Sequence, residues 1–283
     1  MGAAPLLEVE DLHVRFRTRT GLVEAVRGLS FSLGREKLGV VGESGSGKSM
    51  TGRAILGLVP PPGEVTAARL AFAGQDLLRL GEEGMRALRG RRISMVLQDP
   101  KFSLNPVMRV GDQVAEAYRR HHRASRRDAY DRSIAMLEQV RIRDARRVYD
   151  LYPHEVSGGM GQRIMIAMML IPEPDVIIAD EPTSALDVTV QMQVLAILDD
   201  LVTQRGMGLI FISHDLPLVA SFCDRVVVMY AGRVMETLDA RALSKGKHPY
   251  TRGLLGCLPD LDHPKDRLAT LKRDPAWANG AGT

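Results

Sequence analysis

Two rhythms of apolar residues divide the chain. Near the start, "LLEVEDLHVRF" and "LVEAVRGLSFSL" alternate apolar and polar positions over short runs, the pattern of strands with one buried face, and predict an antiparallel sheet. Further on, "LGVVG" at 38–42, "VIIAD" at 176–180 and "LIFIS" at 209–213 are apolar almost throughout. Such runs predict a mainly parallel sheet with helices on both faces. Residues from about 99 to 163 carry helical spacing instead, in "VGDQVAEAYRRH" and "RRDAYDRSIAMLEQV", and read as an inserted helical subdomain. The apolar run Ile164–Ile171 reads as a buried helix, with Ser157-Gly158-Gly159 of "HEVSGGMGQR" at its start. Backbone N–H groups at a helix start, beside a serine, make an anion site.

Composition adds exclusions. With 283 residues, 45% hydrophobic and 25% charged, the chain can bury a sizeable core. Cys223 and Cys257 fit no metal or disulfide framework, so a reducing cytoplasm is the default. The N-terminus "MGAAPLLEVEDL" has no basic stretch of the secretory type. The longest apolar run is far short of the ~20 residues of a membrane helix, so any membrane role is expected to be peripheral. The net charge of +4 is concentrated between Asp99 and Arg163, which hold 13 Lys+Arg against 9 Asp+Glu. Interleaved acids and scarce aromatics favour a solvated helical surface over a nucleic-acid patch.

The strongest chemical signal is "LGVVGESGSGKS", an apolar strand running into G-x-x-x-x-G-K-S and then a helix, "MTGRAILGL". This is the phosphate-binding P-loop pattern in its required context. Gly42, Gly45 and Gly47 let the backbone turn its N–H groups toward phosphate oxygens. Lys48 supplies positive charge to the β- and γ-phosphates, and the Ser49 hydroxyl is a Mg²⁺ ligand. Glu43, Ser44, Ser46 and Met50 complete the phosphate-contacting set. A P-loop needs an acidic strand end for the metal. "PDVIIADEP" supplies Asp180 as metal ligand and Glu181 as general base for the attacking water. A third strand ends in His214, which fits a structural role at the strand end and a contact to the γ-phosphate and its water equally.

P-loop, "SGG", "IIADEPTSALD" and "FISHD" occur once each and in that order. Together they resemble the nucleotide-binding subunit of ATP-binding-cassette (ABC) transporters, over nearly the whole chain. The resemblance implies a P-loop NTPase fold of the α/β class, with a RecA-like, mainly parallel core. It also implies an N-terminal antiparallel β subdomain and an inserted helical subdomain. The single ABC ATPase domain would comprise a nucleotide-binding core (1–98 and 164–245), the helical and signature part (99–163) and a C-terminal extension (246–283). The resemblance further implies a head-to-tail dimer, in which Ser157, Gly158 and Gly159 face the γ-phosphate held by a second subunit. That explains two phosphate sites in one chain. By the same resemblance Gln98 contacts metal and water and senses the membrane subunit, and Asp187 communicates across the dimer. Phe16 lies near the adenine-stacking aromatic, although its strand setting fits a core role equally.

One departure is Met160, where the family's signature usually has glutamine. The subgroup importing oligopeptides, dipeptides and nickel often has methionine there, and shares "QDPxxSLNP" and "HPYTR". Gly161 stands where a larger residue is common. Many subgroup members also carry a cysteine-rich segment for an iron–sulfur cluster, whereas the two cysteines here cannot supply four thiolates. The expected function is an ATP-hydrolysing subunit of a peptide/nickel-class importer, using ATP and Mg²⁺. The implied partners are a second ATPase subunit, identical or paralogous, two membrane permease subunits and, indirectly, an extracytoplasmic binding protein. No nucleic-acid partner is expected, and the place is the cytoplasmic side of the inner membrane. The alternative is an ABC-type ATPase of a soluble complex, phosphonate-processing-like or acting on nucleic acid.

Overall fold

The computed structural model describes residues 4–19, 21–97, 103–184, 186–258, 270–271 and 273–278. In chain order its elements begin with β1 (Leu7–Thr18), β2 (Gly21–Leu33), β3 (Lys37–Val41), α1 (Lys48–Ile55), β4 (Gly63–Thr66), β5 (Arg69–Phe72) and β6 (Gln75–Asp76). They continue with α2 (Gly81–Leu88), β7 (Ile93–Val96), α3 (Val110–His121), α4 (Arg126–Gln139), α5 (Ala145–Tyr149), α6 (Gly158–Leu170), β8 (Val176–Asp180) and α7 (Val188–Arg205). The last are β9 (Gly208–Ser213), α8 (Leu216–Phe222), β10 (Arg225–Tyr230), β11 (Arg233–Asp239), α9 (Pro249–Gly256) and α10 (Pro275–Ala278). The chain divides into two compact units, Met1–Gly81 with Ile210–Thr283, and Glu82–Leu209.

In the first unit β1 and β2 run antiparallel from Leu7↔Leu33 to Thr18↔Gly21. β4 and β5 join the other edge of β1, and β6 extends β5. Leu7, Val9, Leu12 and Val14 are the buried positions of β1. Strict alternation is broken once, at a register shift between Val9 and Leu12. Asp11 sits there at φ 50, and its N–H donates to Ser30 Oγ at 2.9 Å. Such a bulge inserts a residue without turning the apolar face away from the core. The same unit holds β3 parallel to β10, with β11 antiparallel beyond it. A Cβ at Gly39 would lie 2.3 Å from Val219 Cγ1, so glycine lets α8 pack closely on β3.

In the second unit β7 and β8 pair in parallel, from Ile93↔Val176 to Val96↔Ala179. β7 and β8 are buried along their whole length, which is why their sequences do not alternate. The helices follow from local chemistry. Ser125 and Asp128 form a reciprocal capping box at the start of α4. Gly111 of α3 lies under the Tyr149 ring, where a Cβ would come within 2.0 Å. α6 is buried through Ile164–Ala167 and Leu170, the apolar run read as a buried helix.

Cys223 is buried at the end of α8, and burial pushes its thiol up to about 12. The thiolate is the reactive form, so Cys223 stays protonated at neutral and mildly alkaline pH. At pH about 8, a little below the ordinary thiol range, iodoacetamide is expected to spare Cys223 in the folded chain and label it after unfolding in urea. Peptide mapping checks this; full labelling of Cys223 in the folded chain would contradict the packing described.

Candidate functional site

The segment between β3 and α1 closes on itself around a cation. Lys48 is only 6% exposed. Its Nζ donates to the carbonyls of Gly42 at 2.8 Å and Glu43 at 2.9 Å, with Ser46 Oγ at 3.5 Å. Two glycines make this possible. Gly42 has φ 152, and a Cβ there would lie 2.1 Å from Met229 O. Gly47 has φ 99, and a Cβ there would lie 2.4 Å from Ala25 O. Both are left-handed or close-approach positions that a side chain cannot occupy. Gly47 is also the N-cap of α1 and makes no side-chain cap hydrogen bond, so the start of this helix, with Ser49 and Met50, adjoins the loop. A cavity of about 430 Å³ opens over Glu43, Ser44, Gly45 and Ser46. Backbone N–H groups, a buried ammonium and a hydroxyl make this a cradle for phosphate oxygens.

The remaining residues of this unit are placed as follows. Phe16 lies on β1 opposite Val23 and Gly63, half-buried, with its ring edge against Gly63. His214 follows β9 and is exposed.

The second unit brings three of the sequence motifs together. Ser157 caps α6, its hydroxyl accepting the Met160 N–H at 3.3 Å. The Gly161 N–H donates to Ser157 O at 2.8 Å, so the unusual Met160-Gly161 pair leaves the helix start regular. Ser157 and Gly158 are exposed, and a Cβ at Gly158 would meet nothing within 4 Å. Gly159 differs: a Cβ there would lie 2.6 Å from Val190 Cγ1, so it seats α6 against α7. Asp187 caps α7 through the Val190 N–H at 3.0 Å. Asp180 ends β8 and is 6% exposed. Glu181 follows at φ 45, a left-handed conformation that costs an ordinary residue about 1–3 kcal/mol and tends to mark functional positions. The buried Gln162 side chain donates to Pro182 O, binding α6 to the Asp180–Glu181 turn. Gln98 lies outside the described residues.

Three site residues escape a motif reading. Gln162 is a linker inside the signature helix. Tyr250, in "HPYTR", accepts the Glu43 N–H at 3.2 Å. Arg273 pairs with the Glu43 carboxylate at 2.7 Å. The partners are far apart in sequence, and no local spacing announces them.

The chain is similar to known proteins in sequence and in fold. The family model described as ABC transporter matches residues 26–184. The chain is 47% identical over 275 residues to the oligopeptide transport ATP-binding protein OppD of Escherichia coli (strain K12), covering 96% of this chain and 81% of that one. It is 48% identical over 273 residues to the dipeptide transport ATP-binding protein DppD of Bacillus subtilis (strain 168), covering 95% and 82%. In fold it is similar to the ATP-binding cassette MJ0796, solved as a dimer in a post-hydrolysis state bound to ADP and Pi, with TM-score 0.73 and 24% identity over 83% of this chain and 99% of that one. It is also similar to CbiO1 of Clostridium perfringens, part of the transporter complex cbiONQ, with TM-score 0.72 and 25% identity over 85% and 91%.

Removing the Lys48 cation leaves incoming phosphate charge uncompensated, and a hydrogen bond to a charged group contributes about 1.5–3 kcal/mol. Lys48→Ala is therefore expected to weaken ATP binding about 10- to 100-fold, read by titration with a fluorescent nucleotide. Unchanged affinity would remove Lys48 from the phosphates.

Proposed function

This chain belongs to the ABC transporter family and is the ATP-binding and ATP-hydrolysing subunit of a peptide-class importer, and on that premise we propose how its residues do the work. Each ATP is enclosed between the Gly42–Ser49 loop of one subunit and the Ser157–Gly159 helix start of a second. The observation that carries this reading is the exposed, capped start of α6. Ser157 Oγ accepts from Met160 N, so its own O–H proton can be donated outward. Gly158 beside it presents open space. A phosphate bound there would meet the positive end of the helix. The site suits an incoming partner, as a two-fold interface requires.

On nucleotide binding Lys48 exchanges its carbonyl partners for β- and γ-phosphate oxygens. The N–H groups of Ser44 to Met50 surround the same phosphates, while the Glu43 N–H stays on the Tyr250 hydroxyl, and Phe16 offers its ring to the adenine. Glu181 takes a proton from water as the water oxygen bonds to the γ-phosphorus. The bond to the β–γ bridging oxygen breaks, and ADP and phosphate leave. His214 holds the γ-phosphate and the water in line, and Gln98 positions the same water. The Ser49 hydroxyl and the buried Asp180 carboxylate are hard oxygen donors, fit for Mg²⁺, which takes few protein ligands beside substrate phosphates. A Mg²⁺ held there would supply positive charge to offset that of the phosphates. Asp187 fixes the start of α7 beside Gly159, so its cap keeps the γ-phosphate-facing helix in place across the dimer.

Among the described residues no helix is long and apolar enough to cross a membrane, and we place the chain peripherally at the cytoplasmic face, against two permease subunits. That contact falls on the second unit, where Met108, Met168 and Met169 border a groove of about 310 Å³. Methionine-rich surfaces adapt to a partner's shape. The named relatives are oligopeptide and dipeptide transport ATP-binding proteins, which supports transport over a soluble complex.

Glu181→Gln keeps the side-chain shape and cannot accept the proton. Turnover is expected to fall about 10²–10⁴-fold while ATP binding persists and a dimer accumulates, read by ATPase assay and light scattering. Near wild-type turnover would contradict the general-base role. Ser157→Arg is expected to block hydrolysis while its own loop still binds ATP. Mixing it with Lys48→Ala should restore activity, because one of the two mixed sites then carries neither lesion. With a paralogous partner the mixing is done on the heterodimer. Full activity of Ser157→Arg alone would refute the shared site.

A further inference from the structure

Glu43 is held at three points. Its carbonyl accepts from Lys48 Nζ at 2.9 Å. Its N–H donates to the hydroxyl of the fully buried Tyr250 at 3.2 Å. Its carboxylate takes a two-pronged contact from Arg273, Nη2 at 2.7 Å and Nε at 3.3 Å. Glu43 thus joins the phosphate loop to two parts of the C-terminal region at once.

The segment carrying Arg273 is itself anchored. The Trp277 ring packs against Tyr250, Tyr230 and His248, with centroids 5.8, 6.1 and 5.9 Å away. The Ala278 carbonyl accepts from Arg27 at 3.3 Å and Arg233 at 3.2 Å. Tyr230 and Arg273 also line the cavity over Ser44, Gly45 and Ser46. A negative carboxylate beside a site for phosphate is a liability, since two like charges repel through the cavity. The guanidinium cancels that charge where it stands. An exposed ion pair of this kind contributes little to folding, and Arg273 is 60% exposed, so its value lies in the local field.

We propose that Arg273 is a positioning residue for nucleotide binding: it neutralises and holds Glu43 at the mouth of the phosphate loop, so that ATP affinity depends on the docked 273–278 segment. The inference rests on the Gly42–Ser49 loop being the phosphate site. Arg273 acts through Glu43 and touches no reacting atom.

The test is a double-mutant cycle on the full chain, titrated with a fluorescent non-hydrolysable ATP analogue. Arg273→Ala is expected to weaken binding about fivefold at low salt and less than about twofold at 0.5 M salt, where screening shortens the reach of the exposed charge. KM for ATP rises correspondingly while kcat at saturation changes less. Arg273→Lys restores most of the affinity, because the charge returns although the fork geometry does not. In a Glu43→Gln background, Arg273→Ala should cost under about twofold, since no carboxylate remains to be neutralised. Trp277→Ala, which loosens the anchor without touching Glu43, should reproduce the salt-dependent loss. Equal losses in both backgrounds, or none in either, would overturn the proposal. Lys48→Ala is run alongside: if it too leaves affinity unchanged, the phosphate-loop reading itself falls, and if it alone weakens binding, only the role of Arg273 does.

Discussion

A buried ammonium held by backbone carbonyls is the constraint on which the proposed nucleotide site depends. Lys48 is nearly out of water, and its partners Gly42 O and Glu43 O belong to the loop that it closes. Leaving such a charge buried without partners would be strongly unfavourable, so the loop must curl until its carbonyls reach the ammonium. Gly42 and Gly47 are the positions where that curl leaves no room for a Cβ, which would lie 2.1 Å from Met229 O and 2.4 Å from Ala25 O. In the site we propose, phosphate oxygens would take the place of the Gly42 and Glu43 carbonyls around Lys48.

The second unit applies a related economy to a helix start. Ser157 caps α6, Gln162 ties the helix to Pro182, and Gly159 lets Val190 come close. The signature serine, the Asp180–Glu181 turn and the Asp187 cap therefore move as one packed piece. Glu181 in a left-handed conformation adds local strain, held by the Ser184 hydrogen bonds to its carbonyl. A shift of α6 would be felt at Glu181 through Gln162 and Pro182, which gives the proposed dimer a physical path between the partner's phosphate and the chain's own general base.

What the sequence makes legible follows the range of each interaction. Ser157 and Lys48 can be read because a cap and a P-loop are satisfied within a few residues. The buried parallel strands can be read because both faces are covered and their apolar runs are unbroken. The Asp11 bulge is invisible to a period-two count, since the extra residue shifts the pattern without changing its composition. The Arg273–Glu43 pair spans 230 residues, and Gln162 reaches the Pro182 carbonyl 20 residues on. Neither partner is marked by anything local. The C-terminal extension accordingly reads as an appendage in sequence and as part of the phosphate-loop surroundings in the folded chain.

The central claim is that hydrolysis needs two subunits, each completing the other's site. The most direct measurement is the ATPase rate per chain over a dilution series, with mass determined at each concentration in Mg-ATP, in the presence of the paralogous partner where one exists. The rate per chain should fall in step with the fraction of dimer and vanish for the monomer. A rate per chain that stays constant while the protein is demonstrably monomeric would contradict the account.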